Sequence, residues 1–226
     1  NLLCLSRAHA QNHGGKHFVY NGLDPTEYEC SSTRENYAVF LGKARWDVKN
    51  FHGAVQVARR AGVELRVMGS RNWPFNLQRR LPTIHGVRYY GMLGGREKVE
   101  LLSRARCLIN PVRWEEPFGI AITEALASGC YVVGTPYGSL PEIVTAQTGV
   151  LSARGAELAD AVRHPDQFDP RTCRDRVVEG GFTHLDMARS YLGFYERVLA
   201  SGTLDDESEA ATKPGFHANQ LLPWEN

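Results

Sequence analysis

The sequence predicts an α/β fold: a Rossmann-like, doubly wound parallel sheet with helices on both faces. Short apolar runs that end in Gly, Pro or Asn alternate with longer amphipathic stretches, as in β–α–β units. The apolar runs are nearly continuous, which is typical of strands covered on both faces. With 226 residues, 42% of them hydrophobic, the chain can bury such a core. Crossovers are expected to be right-handed, and ligands are expected beyond the carboxyl ends of the strands.

Six strands are predicted, in chain order, from these apolar runs. They lie at 37–42, 64–69, 87–91, 106–110, 131–134 and 149–151. The first, YAVFLG, shows the pattern clearly, because an unbroken apolar run is followed by a glycine. Ahead of the series, 2–5 is strand-like, a polar turn follows, and the apolar run 18–20 ends at Asn21 and Gly22.

Helices are predicted where apolar residues recur at helical spacing. They lie at 50–61, 96–105, 119–128 and 157–163, and a long amphipathic helix follows at 184–200. In the first, Phe51, Ala54, Val55 and Ala58 share one face, which a sheet would cover. The acidic stretch after this last helix predicts a linker, and 216–224 is apolar without a period. Packing on a neighbouring domain and an unstructured end both remain open for it.

Charge and cysteine content narrow the functional classes. The chain has 26 Lys and Arg against 25 Asp and Glu, so no bulk basic charge predicts a nucleic-acid partner. No apolar run is long enough to predict a transmembrane segment. The five cysteines are odd in number and form no CxxC pair, which favours a reducing, cytoplasmic location. Because the chain begins with Asn and not Met, it is expected to be part of a longer protein.

A metal site is not expected. His9, His13 and His17 are spaced by four residues, as ligands on one helical face would be. However, Gly14 and Gly15 interrupt that helix, and no Glu follows His9 as the zinc-protease pattern requires. We therefore predict neither a metal nor another cofactor.

The segment from 110 to 129 carries the chemistry. A strand ends near Asn110, a loop follows, and a helix begins at Phe118 or Gly119. The N–H groups and the dipole of such a helix start favour a phosphate, and a glycine there lets the anion approach the backbone. Glu116 precedes the helix and Glu124 lies inside it, roughly 7–8 Å further along at ~1.5 Å per residue. Ionised carboxylates accept hydrogen bonds from hydroxyls, so this spacing suits the two rings of a sugar nucleotide.

Four separated motifs also carry a family resemblance. EPFGIAITEALASG at 116–129 resembles the E-x7-E signature of retaining GT-B glycosyltransferases, above all glycosyltransferase family 4 and its glycogen-synthase relatives. The others, in order, are YNGLD at 20–24, FLGK at 40–43 with KN at 49–50, and GTP at 134–136 with LPEIV at 140–144. The likeness spans residues 1 to about 200 and implies the C-terminal half of a GT-B enzyme.

The resemblance implies site roles position by position. Lys43 and Lys49 would hold the donor diphosphate, Glu116 would bind the donor sugar, and these three are the catalytic candidates. Glu124 would bind the ribose. The remaining donor-binding candidates lie in three loops. They are Gly42; Gly91, Met92 and Leu93, in the loop that would touch the nucleobase; and Phe118, Gly119 and Ile120, which would offer backbone contacts.

Two positions depart from the family pattern. Lys43 stands where many members have Arg, and Asn50 where most have Gly. Lysine neutralises a diphosphate as a point charge, without the bidentate fork of arginine, so donor affinity is expected to differ modestly. Asn50 also fits an ordinary helix N-cap. For Trp46 and Trp114, lining the cleft and plain packing both remain open.

The family also implies a domain division and partners. Residues 1–16 would end a missing N-terminal acceptor domain and its linker, 17–183 would form the donor-binding domain, 184–202 the C-terminal crossing helix, and 203–226 an acidic linker and tail. A carbohydrate, lipid or small-molecule acceptor would bind through the missing domain. The chain alone is then expected to transfer little.

Two other functions remain open. A nucleotide-sugar epimerase shares the fold, although the 116–129 segment favours transfer. A non-catalytic sugar-nucleotide-binding module is the alternative from another class. The absence of an upstream Rossmann half from the parent reading frame would favour that module.

Overall fold

The computed structural model describes residues 2–69, 86–204 and 220–226. Within them, six strands form one parallel sheet: β3 Tyr37–Leu41, β4 Glu64–Met68, β5 Val87–Gly91, β6 Cys107–Asn110, β7 Tyr131–Gly134 and β8 Gly149–Leu151. Their spatial order is β5-β4-β3-β6-β7-β8. All six predicted strands are confirmed, each within a residue of its predicted bounds.

Helices cover both faces of the sheet. They are α1 Arg7–Asn12, α2 Phe51–Ala61, α3 Gly95–Arg104, α4 Ile120–Ala127, α5 Leu140–Ile143, α6 Gly155–Arg163, α7 Pro170–Glu179 and α8 His184–Ser201. Helix α2 packs against α6, and α4 packs against α7. The connection through α2 steps from β3 to β4, and the connection through α4 steps from β6 to β7, in the opposite direction along the strand order. Right-handed crossovers therefore place these two helices on opposite faces of the parallel sheet. The doubly wound prediction is therefore confirmed.

The core explains why the strands read as continuous apolar runs. Val39 in β3, Leu108 in β6 and Val132 in β7 are fully buried, and Val39 is the register partner of Leu108. Helix α4 is apolar nearly all round, with every residue from Ile122 to Ala127 buried. Such a helix fits only between the sheet and another helical layer, here α7.

Three helices lie where the sequence pattern predicts none. Helix α1 replaces the predicted polar turn; its N-cap is Ser6, whose side chain accepts a hydrogen bond from the His9 N–H. Helix α7 begins with Pro170 after an Asp169 cap, but buries only Cys173 and Val177. Its apolar stripe is too narrow to stand out from its charged residues. The four-residue α5 is too short for any periodicity.

The N-terminal residues form a small unit of their own. Strands β1 Leu3–Cys4 and β2 His17–Phe18 pair in parallel. The Glu142 carboxylate of α5 accepts hydrogen bonds from the N–H groups of Arg7 and Ala8 at the start of α1. The Tyr20 hydroxyl donates to the same carboxylate at 2.7 Å. Residues 3–18 are thus attached to the sheet domain through Glu142.

The long helix α8 buries no residue. Its most exposed apolar side chains are Leu185, Leu192, Tyr195 and Leu199. Among the described helices, none combines the length and apolarity needed to cross a bilayer. All five cysteines lie in the described residues and are free thiols.

Candidate active site

The order of the strands creates a crevice between β3 and β6. From β3 the chain winds outward through β4 to β5, and from β6 it winds the other way to β8. The loops that follow β3 and β6 therefore diverge, and ligands bind in α/β sheets at such a switch point. The Arg113 N–H donates to the Val48 carbonyl at 2.7 Å and joins the two loops.

Lys49, Glu116 and Trp114 meet in this crevice. The Lys49 ammonium lies 2.5 Å from Glu116 Oε2, and the Trp114 indole N–H donates to the same oxygen at 3.0 Å. The ammonium also lies 4.9 Å from the centre of the Trp114 ring, a cation–π distance. Glu116 is only 6% exposed. A buried carboxylate needs this compensation, because an unpaired charge would be strongly destabilising.

Glu124 is held in a similar way one turn inside α4. The Lys98 ammonium of α3 lies 2.5 Å from Glu124 Oε1, and the Tyr28 hydroxyl donates to the same oxygen at 3.0 Å. Burial and the neighbouring Glu124 charge raise the pKa of Tyr28, so that the hydroxyl stays a donor. The two predicted carboxylates are thus both buried, and each is paired with a lysine.

The start of α4 lies between the two carboxylates. Gly119 caps the helix at a φ of 80°, and a Cβ there would lie 2.7 Å from the Ile122 side chain. This left-handed backbone favours glycine, and the lack of a side chain leaves the helix N-terminus uncovered. Phe118 is 2% exposed and packs near Tyr20 and Phe182, so only its backbone is available to a ligand. Ile120 is 52% exposed.

The loop after β7 supports Glu116 from behind. The Ser139 N–H donates to the Glu116 carbonyl at 2.9 Å, and the Ser139 hydroxyl donates to the Phe118 carbonyl at 2.7 Å. Gly138, at a φ of 60°, approaches so closely that a Cβ would lie 2.2 Å from the Glu116 nitrogen. The Glu115 carboxylate accepts the Gly138 N–H at 2.7 Å. These contacts fix the backbone that carries Glu116.

Lys43 lies apart from this cluster. It is exposed, and its ammonium lies 4.1 Å from the centre of the Trp46 ring. Gly42 follows β3 directly, and its N–H donates to the Met68 carbonyl of β4. The structure therefore brings Lys49 and Glu116 into contact, and it leaves Lys43 on an indole face in the same loop.

The prediction that Asn50 is a helix N-cap is confirmed. Its side chain accepts a hydrogen bond from the Gly53 N–H at the start of α2. Its backbone is left-handed, with a φ of 49°. Asparagine is among the residues that best tolerate this conformation, which glycine adopts without strain. The left-handed turn thus explains how Asn can occupy a position that the family pattern gives to Gly.

The predicted nucleobase loop lies further out. Gly91 ends the edge strand β5, Met92 is 53% exposed, and Leu93 packs partly against the core. Helix α3, which follows this loop, contacts Glu124 through the Lys98 side chain. Sequence reasoning missed Lys98 and Tyr28, since a lysine on an amphipathic helix and a tyrosine in a polar stretch carry no signal of a site.

No group of three or more His, Cys, Asp or Glu suited to a metal occurs among the described residues. His9 and His13 do meet, with ring centres 4.6 Å apart. Each of the two buried carboxylates of the candidate site has its own ammonium group, so their charges are balanced locally.

The sheet order and its switch-point crevice are those of a Rossmann-like, doubly wound α/β domain. The family model described as "Glycosyl transferases group 1" matches residues 35–164, more than half of the chain. The chain therefore belongs to the glycosyl transferases group 1 family, and the family prediction is confirmed.

Individual relatives agree with this assignment. The glycogen synthase of Mycobacterium tuberculosis (strain H37Rv) is 29% identical over 160 residues, which cover 64% of this chain and 38% of that protein. The same enzyme from strain CDC 1551 / Oshkosh matches equally. The chain thus spans less than half the length of the curated relatives it matches.

Solved structures share the fold. AviGT4, a glycosyltransferase involved in avilamycin A biosynthesis, superposes with a TM-score of 0.73 at 24% identity, over 88% of this chain and 64% of its own. Sucrose-phosphate synthase from Thermosynechococcus elongatus gives 0.72 at 18% identity, over 88% and 58%. Anabaena HepE, solved in complex with UDP and glucose, gives 0.67 at 18% identity, over 88% and 62%. At these identities the likeness shows the fold alone.

Proposed function

We propose that this chain is the donor-binding part of a retaining glycosyltransferase, which transfers a sugar from a nucleotide diphosphate-sugar to an acceptor hydroxyl. Family membership supports sugar transfer in general. One observation carries the finer proposal: Glu116 and Glu124 are buried before and within one helix, and each is fixed by a lysine. This is the arrangement that two hydroxyl-bearing rings on either side of a diphosphate would need.

Each carboxylate is proposed to use its two oxygens differently. Lys49 and Trp114 both contact Oε2 of Glu116, and Oε1 would accept the hydroxyls of the donor sugar. Lys98 and Tyr28 both contact Oε1 of Glu124, and Oε2 would accept a ribose hydroxyl. Protein contacts thus orient one oxygen of each residue, and the ligand would take the other.

The diphosphate would lie at the start of α4. There the N–H groups at Gly119 and Ile120 and the Lys49 ammonium would stabilise the negative charge that develops as the glycosidic bond breaks. Lys43 would join them by leaving its contact with the exposed Trp46 ring. Gly42 and Phe118 would contribute backbone contacts, and Gly91, Met92 and Leu93 would face the nucleobase. The proposal needs neither a metal nor another cofactor.

The acceptor is proposed to bind elsewhere in a longer protein. A second, N-terminal half would supply the site for a carbohydrate, lipid or small-molecule acceptor. This chain alone would then bind donor but transfer little. The five free cysteines fit a reducing compartment, and on that ground we propose a cytoplasmic location.

Calorimetric titration of the chain with UDP, GDP, ADP and their hexose conjugates tests the donor site. The expected result is saturable binding to one nucleotide series. Glu124→Ala should weaken the free nucleotide and the conjugate alike, because both carry the ribose. Glu116→Ala should weaken the conjugate selectively, by roughly tenfold for one lost charge-assisted contact.

Asp160→Ala is the matched control. Asp160 is also a helical carboxylate that pairs with a basic residue, Arg163, but it lies on the exposed surface of α6. Its substitution should leave binding unchanged. A folded chain that binds no nucleotide would contradict the proposed donor site. Full-rate transfer by the chain alone would contradict the proposed second half, and binding without transfer in the full-length protein would favour the non-catalytic module.

A further inference from the structure

Residues 220–226, hereafter the C-terminal strap, contact three loops at the carboxyl end of the sheet. The Tyr137 hydroxyl, after β7, donates to the Pro223 carbonyl at 2.7 Å. After β8, the Glu225 N–H donates to the Ala153 carbonyl at 2.8 Å, and the Gly155 N–H donates to the Glu225 carbonyl at 2.6 Å. The third loop is the one after β6, which carries Glu116. Of the apolar 216–224 segment, residues 216–219 lie outside the described residues, and residues 220–224 pack on the loops of the sheet domain rather than forming an unstructured end.

Arg113 is the contact on that third loop. Its carbonyl accepts the Leu222 N–H at 2.9 Å, and its guanidinium Nε–H donates to the Leu222 carbonyl at 2.7 Å. Its own N–H donates to the Val48 carbonyl, next to Lys49. Arg113 is therefore bonded at once to the strap and to the loop that carries the lysine of the Lys49–Glu116 pair.

The strap adds little to the core. Gln220, Leu221, Pro223, Glu225 and Asn226 are exposed, and Trp224 alone packs partly against the core, beside Gly155. Its hydrogen bonds end on loops and the start of a helix rather than on strands. A segment of this kind stabilises loop positions more than it stabilises the sheet, because bonds at the surface contribute little to global unfolding.

We propose that the C-terminal strap, through Arg113, positions the loop that brings Glu116 to Lys49. The inference rests on the proposed function for its consequence, which is a donor site held ready for its ligand. Arg113 and the strap are positioning elements, since they act on the ligand through Lys49 and Glu116. Release of the strap would remove the two Leu222 hydrogen bonds from Arg113, while the Arg113–Val48 bond and the contacts of Gly138 and Ser139 would remain.

Deletion of residues 220–226 and the substitution Arg113→Ala test the proposal. In the ligand-free protein, hydrogen exchange of the backbone amides of residues 111–116, of which Pro111 has none, should become faster in both variants, with the core strands unchanged. Affinity for the bound nucleotide-sugar should fall by roughly tenfold, as for a lost hydrogen bond to a charged group. Arg163→Ala is the matched control, because Arg163 also donates to a backbone carbonyl, that of Arg60, far from this loop.

A purely structural role predicts different results. In that case the thermal midpoint would fall while exchange at 111–116 and affinity stayed as in the wild type, and the proposal would be overturned. In a Lys49→Ala background, the deletion should cost less affinity than in the wild type, and strict additivity would contradict action through the Lys49–Glu116 pair. Should the deletion not fold, Arg113→Lys and Tyr137→Phe each remove one strap contact and carry the same test.

The two proposals fail in different ways. If the wild type binds no nucleotide-sugar but the deletion speeds exchange at 111–116, the donor site is wrong and the positioning of the loop stands. If the wild type binds and the deletion changes neither exchange nor affinity, the strap proposal is wrong and the donor site stands.

Discussion

Lys49 and Glu116 lie 67 residues apart in the chain, yet their side chains form an ion pair at 2.5 Å across the crevice between β3 and β6. The pair exists because the sheet reverses its winding direction between these strands, so that the loops after both strands open at one place. Glu116 is buried, and the Lys49 side chain is 19% exposed. Each charge therefore depends on the other for its compensation, and the proposed diphosphate ligand would compete with Glu116 for Lys49.

Removal of the Lys49 charge should destabilise the folded chain. Lys49→Met keeps the apolar stem and leaves the Glu116 carboxylate without its ammonium partner. We expect the free energy of unfolding to fall by about 1–3 kcal/mol, less than for a fully buried pair because Lys49 is partly hydrated. Urea titration measures this change. Arg154→Met, which breaks an exposed pair with Glu157, is the control and should cost less than about 1 kcal/mol.

Trp114 should contribute to the site in two separable ways. Trp114→Phe keeps an aromatic face for the Lys49 ammonium but removes the indole N–H from Glu116, whereas Trp114→Leu removes both contacts. Nucleotide-sugar affinity, measured by calorimetry, should therefore fall several-fold for Phe and further for Leu. In a Lys49→Ala background the difference between the two variants should shrink. Equal losses for Phe and Leu in the wild-type background would show that the ring face contributes nothing.

The central strands β3, β6 and β7 were predictable from the sequence because they are buried on both faces. A run such as Tyr37–Leu41 has no polar position to conceal it, and the edges of such runs are set by Gly or Asn. Helix α7 was not predictable in the same way. It is held by Arg174, whose guanidinium donates to the Tyr28, Ala127 and Pro25 carbonyls, and such long-range bonds leave no periodic mark on a sequence.

The residues of the candidate site also fall into two groups, those that local sequence spacing identifies and those that only the fold brings together. Glu116, Gly119 and Glu124 lie within one short segment, so local spacing and a family motif were enough to select them. Tyr28 and Lys98 reach Glu124 from 96 and 26 residues away. Those contacts depend on how α3 and the 20–30 segment pack on α4, which no pattern of single residues encodes. For Lys43 the reverse holds: the motif identifies it as a site residue, but the structure places its ammonium on the Trp46 ring and not beside Glu116.

Alkaline pH should destabilise the fold through buried acidic groups that stay protonated in the native state. Burial raises the pKa of Cys130 and of Cys173 to about 12, and burial, with the Glu142 hydrogen bond, raises that of Tyr20 to about 12. In the unfolded chain these groups lose their protons near pH 8.5 for Cys and 10 for Tyr. Stability from these groups is therefore full below about pH 8 and falls progressively up to about pH 12. Thermal midpoints at pH 8 and pH 10.5 check this, and an unchanged midpoint would contradict it.

Gly138 should be the glycine whose substitution damages the site most directly. A Cβ at this position would lie 2.2 Å from the Glu116 nitrogen and 2.4 Å from its carbonyl oxygen, so Gly138→Ala must displace the backbone that carries the carboxylate. Gly181→Ala is the matched control, because Gly181 also has a positive φ, of 80°, but nothing lies within 4 Å of its added Cβ. The control should cost about 1–2 kcal/mol of backbone strain and leave nucleotide-sugar affinity unchanged. Gly138→Ala should cost more than this in urea unfolding and should also weaken binding. Equal unfolding costs for the two variants, with binding intact in both, would mean that the loop after β7 does not fix Glu116.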